Sequence, residues 1–129
     1  MKWNEIMLEK IASQQGKTIL ITGSNTGIGF ETARLLALKG ADIIIACRNQ
    51  EKGQQALADL RAKVPGVQAS LVQLDLANLE SVRQCAAEII ENHPTLDALI
   101  NNAGLAMPPL QKTADDFEMQ FGTNVLGCF

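Results

Sequence analysis

A doubly wound α/β fold, with a parallel sheet flanked by helices, is the fold class that this sequence predicts. Two observations carry it. Short apolar runs alternate along the chain with stretches of helical periodicity. The first run leads directly into Thr22-Gly23-Ser24-Asn25-Thr26-Gly27-Ile28-Gly29, a glycine-rich turn that opens a helix. Strands separated by helices run parallel, because each crossover returns the chain to the same end of the sheet.

The elements follow in order. Trp3, Ile6, Met7 and Ile11 fall at helical spacing and predict a short amphipathic helix over residues 3–14, within an amino-terminal extension of residues 1–16. The main unit, residues 17–129, begins with a buried strand over 17–21. Ile28, Phe30, Ala33, Leu35, Leu36 and Leu38 then mark a helix that Gly40 ends. Residues 41–47, with Ile43, Ile44 and Ile45, form a continuous apolar run, as expected of a strand covered on both faces. A second helix spans 50–62, and Pro65-Gly66 turns the chain into a third strand over 67–74. Asn78 is the N-cap of a helix over 79–91, His93-Pro94 stops that helix, and residues 96–100 make the fourth strand. A last helix is expected from about 113 to 129. Phe117, Phe121, Val125 and Phe129 share one of its faces, with Asn124 beside them on the inner side.

This is an incomplete sheet of about four strands in the order 3-2-1-4. Its fourth strand is left as an apolar edge through Leu96, Ala98 and Ile100, which predicts self-association or pairing with a homologue.

Composition narrows the function. The chain has 129 residues and a net charge of -3, with lysine and arginine scattered rather than gathered in a stripe, so nucleic acid is not expected as a partner. Lys2, Glu5, Glu9 and Lys10 interrupt the amino-terminal apolar residues, which argues against a signal peptide, and no apolar run reaches the length of a membrane span. Cys47, Cys85 and Cys128 are odd in number and lack metal-ligand spacing. They read as buried thiols of a reduced protein, cytoplasmic or otherwise intracellular. No metal site is expected. His93, in the turn before Pro94, is expected at the surface.

The glycine turn describes a phosphate cradle. A helix starting directly after a strand offers unpaired N–H groups and the positive end of its dipole to an anion. Gly23 suits a tight turn, Gly27 a close approach to phosphate, and Gly29 close packing of helix on strand. The remaining candidates also follow strands. Arg48 stands where a dinucleotide site reads the adenosine ribose, and its guanidinium suits the 2'-phosphate of NADP, with Lys52 adding charge. The alternative is a solvated arginine at a strand end. Asp75 either accepts from the adenine amino group or begins the turn before Asn78. In Asn101-Asn102-Ala103-Gly104, two asparagines that tie loops together precede small residues that let the backbone pass close to a ribose.

Taken in order, the turn 22–29, Arg48, Asp75-Leu76, Asn101 to Gly104 and Phe121-Gly122-Thr123-Asn124-Val125-Leu126-Gly127 resemble the short-chain dehydrogenase/reductase family over nearly all of residues 17–129. Thr-Gly-Ser-Asn-Thr-Gly-Ile-Gly and Ala-Cys-Arg-Asn are most similar to its NADP-preferring, retinol-dehydrogenase-like group. The resemblance implies a nicotinamide dinucleotide, NADP(H) in preference to NAD(H). It places Gly23, Ser24, Asn25, Gly27, Ile28 and Gly29 at the phosphates, Arg48 at the 2'-phosphate, Asp75 and Leu76 at the adenine, and Asn102, Ala103 and Gly104 at the ribose. Asn124 matches the asparagine that in the family orders a water in a proton relay.

In the family the serine and Tyr-x-x-x-Lys lie beyond the helix that carries the asparagine, past Phe129, and the chain contains no tyrosine. It is therefore expected to bind cofactor without interconverting an alcohol and a carbonyl by itself. A non-catalytic nucleotide-binding or regulatory module, or a fragment that pairs with a full-length homologue, is the alternative reading.

Overall fold

Ile43, Ile44 and Ile45 are all essentially inaccessible to solvent, which requires a strand with cover on both faces. In the computed structural model, which describes residues 3–129, these residues lie in the second strand of a four-stranded parallel sheet ordered β3-β2-β1-β4. The strands are β1 Thr18–Thr22, β2 Asp42–Cys47, β3 Ala69–Gln73 and β4 Ala98–Ile100. Leu20 stands opposite Ile44 and Ile21 opposite Ile45, so apolar rows line up across the central pair.

Alternate residues of these strands feed two separate cores. Ile19, Ile21, Ile43 and Ile45 face the helices α2 (Gly27–Leu38) and α3 (Gln50–Lys63), where Ala33, Ala37, Ala56, Leu57 and Leu60 complete the cluster. Leu20, Ile44, Ala46 and Val72 point the other way, toward Cys85 and Ile89 of α4 (Leu79–Asn92). Two helices cover the first face and one covers the second. The half of the second face over β1 and β4 is therefore thinly covered, and Leu99 of β4 is 51% exposed.

Local chemistry sets the helix starts. Asn49 caps α3 by accepting from the Lys52 amide at 2.9 Å. Asn78, the expected cap of α4, accepts from Glu80 and Ser81, while Asp115 accepts from the Leu79 amide at 2.8 Å. The first helix, α1, spans Trp3–Lys10 and stops short of residue 14, because the Gln14 amide is taken by the carbonyl of Lys39 at 2.8 Å. The side chain of Trp3, expected on its apolar face, lies outside the described residues, and Met7 is half exposed.

The carboxy-terminal element departs most from expectation. Thr113 folds back on Phe117 through backbone and hydroxyl hydrogen bonds, and Asp116 takes a positive φ, so residues 113–118 form a turn. The helix begins only where the Glu118 carboxylate caps the amides of Gln120 and Phe121, which hold that carboxyl below its usual range. It runs as one α-turn, α5 (Met119–Phe121), and then widens to a π-helix over Gly122–Leu126. The expected apolar stripe faces outward: Phe121 is 51% exposed and Val125 49%.

Replacing Asn78 by alanine should remove two of the α4 caps and cost about 1 kcal/mol. A urea melt would show a lower midpoint with an unchanged slope. An unchanged midpoint would mean that Asp115 alone suffices.

Candidate nucleotide-binding cleft

The carboxyl ends of all four strands converge on one open cleft of about 470 Å³. Its shape is set by how the β1–α2 turn meets the segment after β4. Thr22, buried at the end of β1, accepts from the Ala103 amide at 2.9 Å through its hydroxyl, which donates to the Ile100 carbonyl at 3.5 Å. The Asn102 amide nitrogen donates to the carbonyls of Thr22 and Gly23 at 3.0 and 3.2 Å. Side chains therefore stitch the two strand ends together beyond their backbone ladder.

The glycines make room for this stitching. Gly23 has a φ of +62°, and a Cβ there would lie 2.9 Å from that of Ala103. A Cβ on Gly29 would lie 2.5 Å from both the Asn102 amide nitrogen and the Gly23 carbonyl oxygen. Gly29 is thus required by the close approach of the α2 start to the backbone that follows β1, and by the Asn102 clamp seated there. At Gly27 the space is open, and the positive φ of 59° is what favours glycine.

One consequence faces the cleft. Thr26, the N-cap of α2, makes no side-chain cap bond, in contrast to Asn49 and Asn78, so the leading amides of α2 stay available to an external acceptor. The dinucleotide fits this arrangement, because its pyrophosphate is such an acceptor and the glycine cradle is free of Cβ atoms.

Gly23, Asn25, Ile28, Gly29, Arg48, Asp75, Leu76, Asn102, Ala103 and Gly104 all line the cleft; Ser24, Gly27, Lys52 and Asn124 do not. Ser24 is fully buried and donates its hydroxyl to the Ile21 carbonyl at 2.7 Å, so only its backbone can face a ligand. Arg48 is exposed at the end of β2, and its guanidinium makes no hydrogen bond or ion pair among the described residues. Its carbonyl accepts from Gln73 at 3.3 Å. Asp75 both lines the cleft and serves the turn, where one of its oxygens accepts from the Ala77 amide at 3.0 Å.

Two expectations need correction. Asn101 does not tie loops together: it is exposed, makes no side-chain hydrogen bond among the described residues, and lies along an apolar groove on the opposite face. His93 is half-buried rather than exposed, at the amino end of the strands and away from the cleft, beside Thr18 and Asp42.

Asn124 stands one step from the cleft. Within the π-turn its amide both accepts from the Leu105 N–H at 2.9 Å and donates to the Leu105 carbonyl at 2.7 Å. Leu105 in turn lines the cleft, as does the nearly buried Thr123. Thr22, Leu105 and Thr123 were not singled out from the sequence. Only Thr22 carried a signal there, as a polar residue closing an apolar strand.

Cys47 also lines the cleft, with its thiol donating to the Asn49 carbonyl at 3.3 Å, and burial pushes its pKa up. Burial likewise raises Cys85 and Cys128. Among the described residues, no group of three or more His, Cys, Asp or Glu side chains could hold a metal ion, and no helix is long and apolar enough to cross a membrane.

The fold and the cleft define a nucleotide-binding α/β protein of the dehydrogenase type. The chain belongs to the short chain dehydrogenase family, which it matches over residues 17–129 and whose members bind nicotinamide dinucleotides. It is 49% identical over 118 residues to retinol dehydrogenase 13 of Homo sapiens, an alignment that covers 92% of this chain and 36% of that protein. To retinol dehydrogenase 12 of Mus musculus it is 47% identical over 114 residues, covering 88% of this chain and 36% of the other. The chain thus spans about a third of the length of the curated relatives it matches. Among solved structures it resembles L-sorbose reductase from Gluconobacter frateurii, complexed with NADPH and L-sorbose. That match has a TM-score of 0.74 at 27% identity and covers 89% of this chain and 44% of the other.

With every thiol pKa raised, alkylation by iodoacetamide at pH 7.5 should be slower for the folded chain than for the chain in denaturant. The sign for stability follows: a raised thiol pKa leaves the folded state unpenalised below the ordinary thiol range, and stability declines as pH rises through and above it. Equal alkylation rates in the two states would show that the thiols are not protected.

Proposed function

We propose that residues 17–129 are the NADP(H)-binding part of an oxidoreductase that interconverts alcohol and carbonyl groups, preceded by the extension 1–16. The observation that carries this reading is the pairing of a glycine cradle under the uncapped start of α2 with an unpartnered guanidinium, Arg48, at the end of β2. An acidic residue in the position of Arg48 would favour the 2'-hydroxyl of NAD(H), whereas a cation there favours the 2'-phosphate.

The assignments follow the cleft. Gly23, Ser24, Asn25, Gly27, Ile28 and Gly29 hold the phosphates, with the Gly23 amide itself bonded to the Ala46 carbonyl, while Arg48 takes the 2'-phosphate, Asp75 and Leu76 the adenine, and Asn102, Ala103 and Gly104 the ribose. Asn124 occupies the proton-relay position. Bound cofactor would supply hydride chemistry, but the family's proton donor is a tyrosine and the chain has none, so the 129-residue chain binds without turnover. Three unpaired thiols support an intracellular, cytoplasmic setting. The β4 edge supports self-association or pairing with a homologue.

Calorimetric titration tests the reading. NADPH should bind more tightly than NADH, and Arg48→Asp should weaken NADPH by about tenfold to a hundredfold while leaving NADH nearly unchanged. Equal losses for both cofactors would overturn the phosphate assignment. Carbonyl reduction by the pure chain would overturn the expectation of binding without turnover.

A further inference from the structure

Gly53 lies buried inside α3, at a position where alanine would be the better helix former. A Cβ there would lie 2.6 Å from Leu71 Cδ1 of β3 and 2.7 Å from Cys47 Sγ at the end of β2. The first turns of α3 therefore sit closer to the sheet than a side chain at this position would allow. We infer that Gly53 is a positioning residue for cofactor discrimination: the close seating it permits holds the Arg48–Asn49 turn, and with it the Arg48 side chain, in place at the end of β2.

The turn is held from two sides. The Asn49 carbonyl accepts from the Gly53 amide at 2.9 Å and from the Cys47 thiol at 3.3 Å, so both of its lone pairs are used. The Asn49 side chain accepts from the Lys52 amide at 2.9 Å. From the other side Gln73, the last residue of β3, donates its side-chain amide to the Arg48 carbonyl at 3.3 Å, and the Leu74 amide donates to the Cys47 carbonyl at 3.0 Å. A peptide rotation anywhere from Cys47 to Asn49 breaks at least one of these bonds. The sulfur that meets the Gly53 backbone is also the donor to Asn49. A methyl group at position 53 either pushes α3 off the sheet or turns the thiol away, and the turn loses a bond in both cases.

The effect is confined to one end of the cofactor. The side-chain hydrogen bonds that shape the phosphate cradle join β1 to the segment after β4 and involve neither Gly53 nor Gln73. An exposed arginine has many rotamers, so the placement of its backbone decides how many of them bring the guanidinium to a phosphate on the 2' oxygen. Displacing the turn therefore weakens NADPH and leaves NADH, which carries a hydroxyl there, nearly untouched. This role rests on the 2'-phosphate assignment of Arg48 and extends it, because discrimination then depends on a glycine that no ligand touches.

Titration of the 129-residue chain with NADPH and with NADH gives the ratio of the two dissociation constants. Gly53→Ala should lower the preference for NADPH by about threefold to tenfold while changing NADH affinity by less than about twofold. Adding Cys47→Ala removes the sulfur that the new methyl group meets and should restore part of the preference, whereas a core that was merely destabilised would lose more. Gln73→Met, which keeps the side-chain length and removes the donor, should lower the preference by about twofold to threefold. It carries the test alone if far-UV circular dichroism shows Gly53→Ala to be misfolded. Equal losses for the two cofactors, or a ratio that neither variant moves, overturn the inference while a wild-type preference for NADPH leaves the Arg48 assignment standing. Equal affinities in the wild-type chain overturn that assignment and the inference with it.

Discussion

The Asn102 side-chain amide holds the carbonyls of Thr22 and Gly23, and the geometry of the cleft depends on that contact. It joins the end of β1 to the segment after β4, two positions far apart in sequence, and it occupies the space that a Cβ on Gly29 would need. With Thr22 bonded to Ala103 and Ile100 alongside it, the β1–α2 turn cannot drift relative to the loop carrying Ala103 and Gly104. The leading amides of α2 are consequently held in a fixed direction over the cleft. Preorganised donors of this kind bind an anion without a further ordering cost.

The same economy governs the rest of the cleft rim. Side chains that could compete for the ligand are tied back: Ser24 bonds to Ile21, one Asp75 oxygen serves Ala77, and Asn124 spends both ends of its amide on Leu105. Arg48 is the contrast, with a guanidinium left without a partner among the described residues. The π-turn serves the Asn124 contact. Its wider ring closes from Gly127 to Gly122 and sets the amide toward Leu105 while Phe121 and Val125 stay outside. The interior of the sheet, by contrast, is regular.

The two faces of the sheet are unequal, and this asymmetry explains the exposed surface. Alanines at 33, 37 and 56 let two helices sit close over the first face, whereas α4, with Ala103 and Cys128 beside it, covers the second. The uncovered part lies over β1 and β4, so the rows that bury Leu20 and Ile44 end in a half-exposed Leu99. A cleft at the strand ends and an apolar groove on one face follow from the same four-stranded order.

Much of this was legible in the sequence because it depends on local rules. The continuous run Ile43-Ile44-Ile45 demands two-sided burial, Asn78 before an amphipathic stretch is a cap, and a glycine turn between strand and helix predicts a cleft. These are consequences of periodicity and of backbone groups needing partners. The carboxy-terminal element was misread for the complementary reason. Phe117, Phe121, Val125 and Phe129 keep helical spacing, yet Thr113 bonds back to Phe117 and Glu118 restarts the helix, and no period records such competition. Which asparagine of Asn101-Asn102 acts as the clamp, why Gly29 has no room for a Cβ, and which way Ser24 points were decided only by tertiary structure, because each depends on atoms brought together from distant parts of the chain.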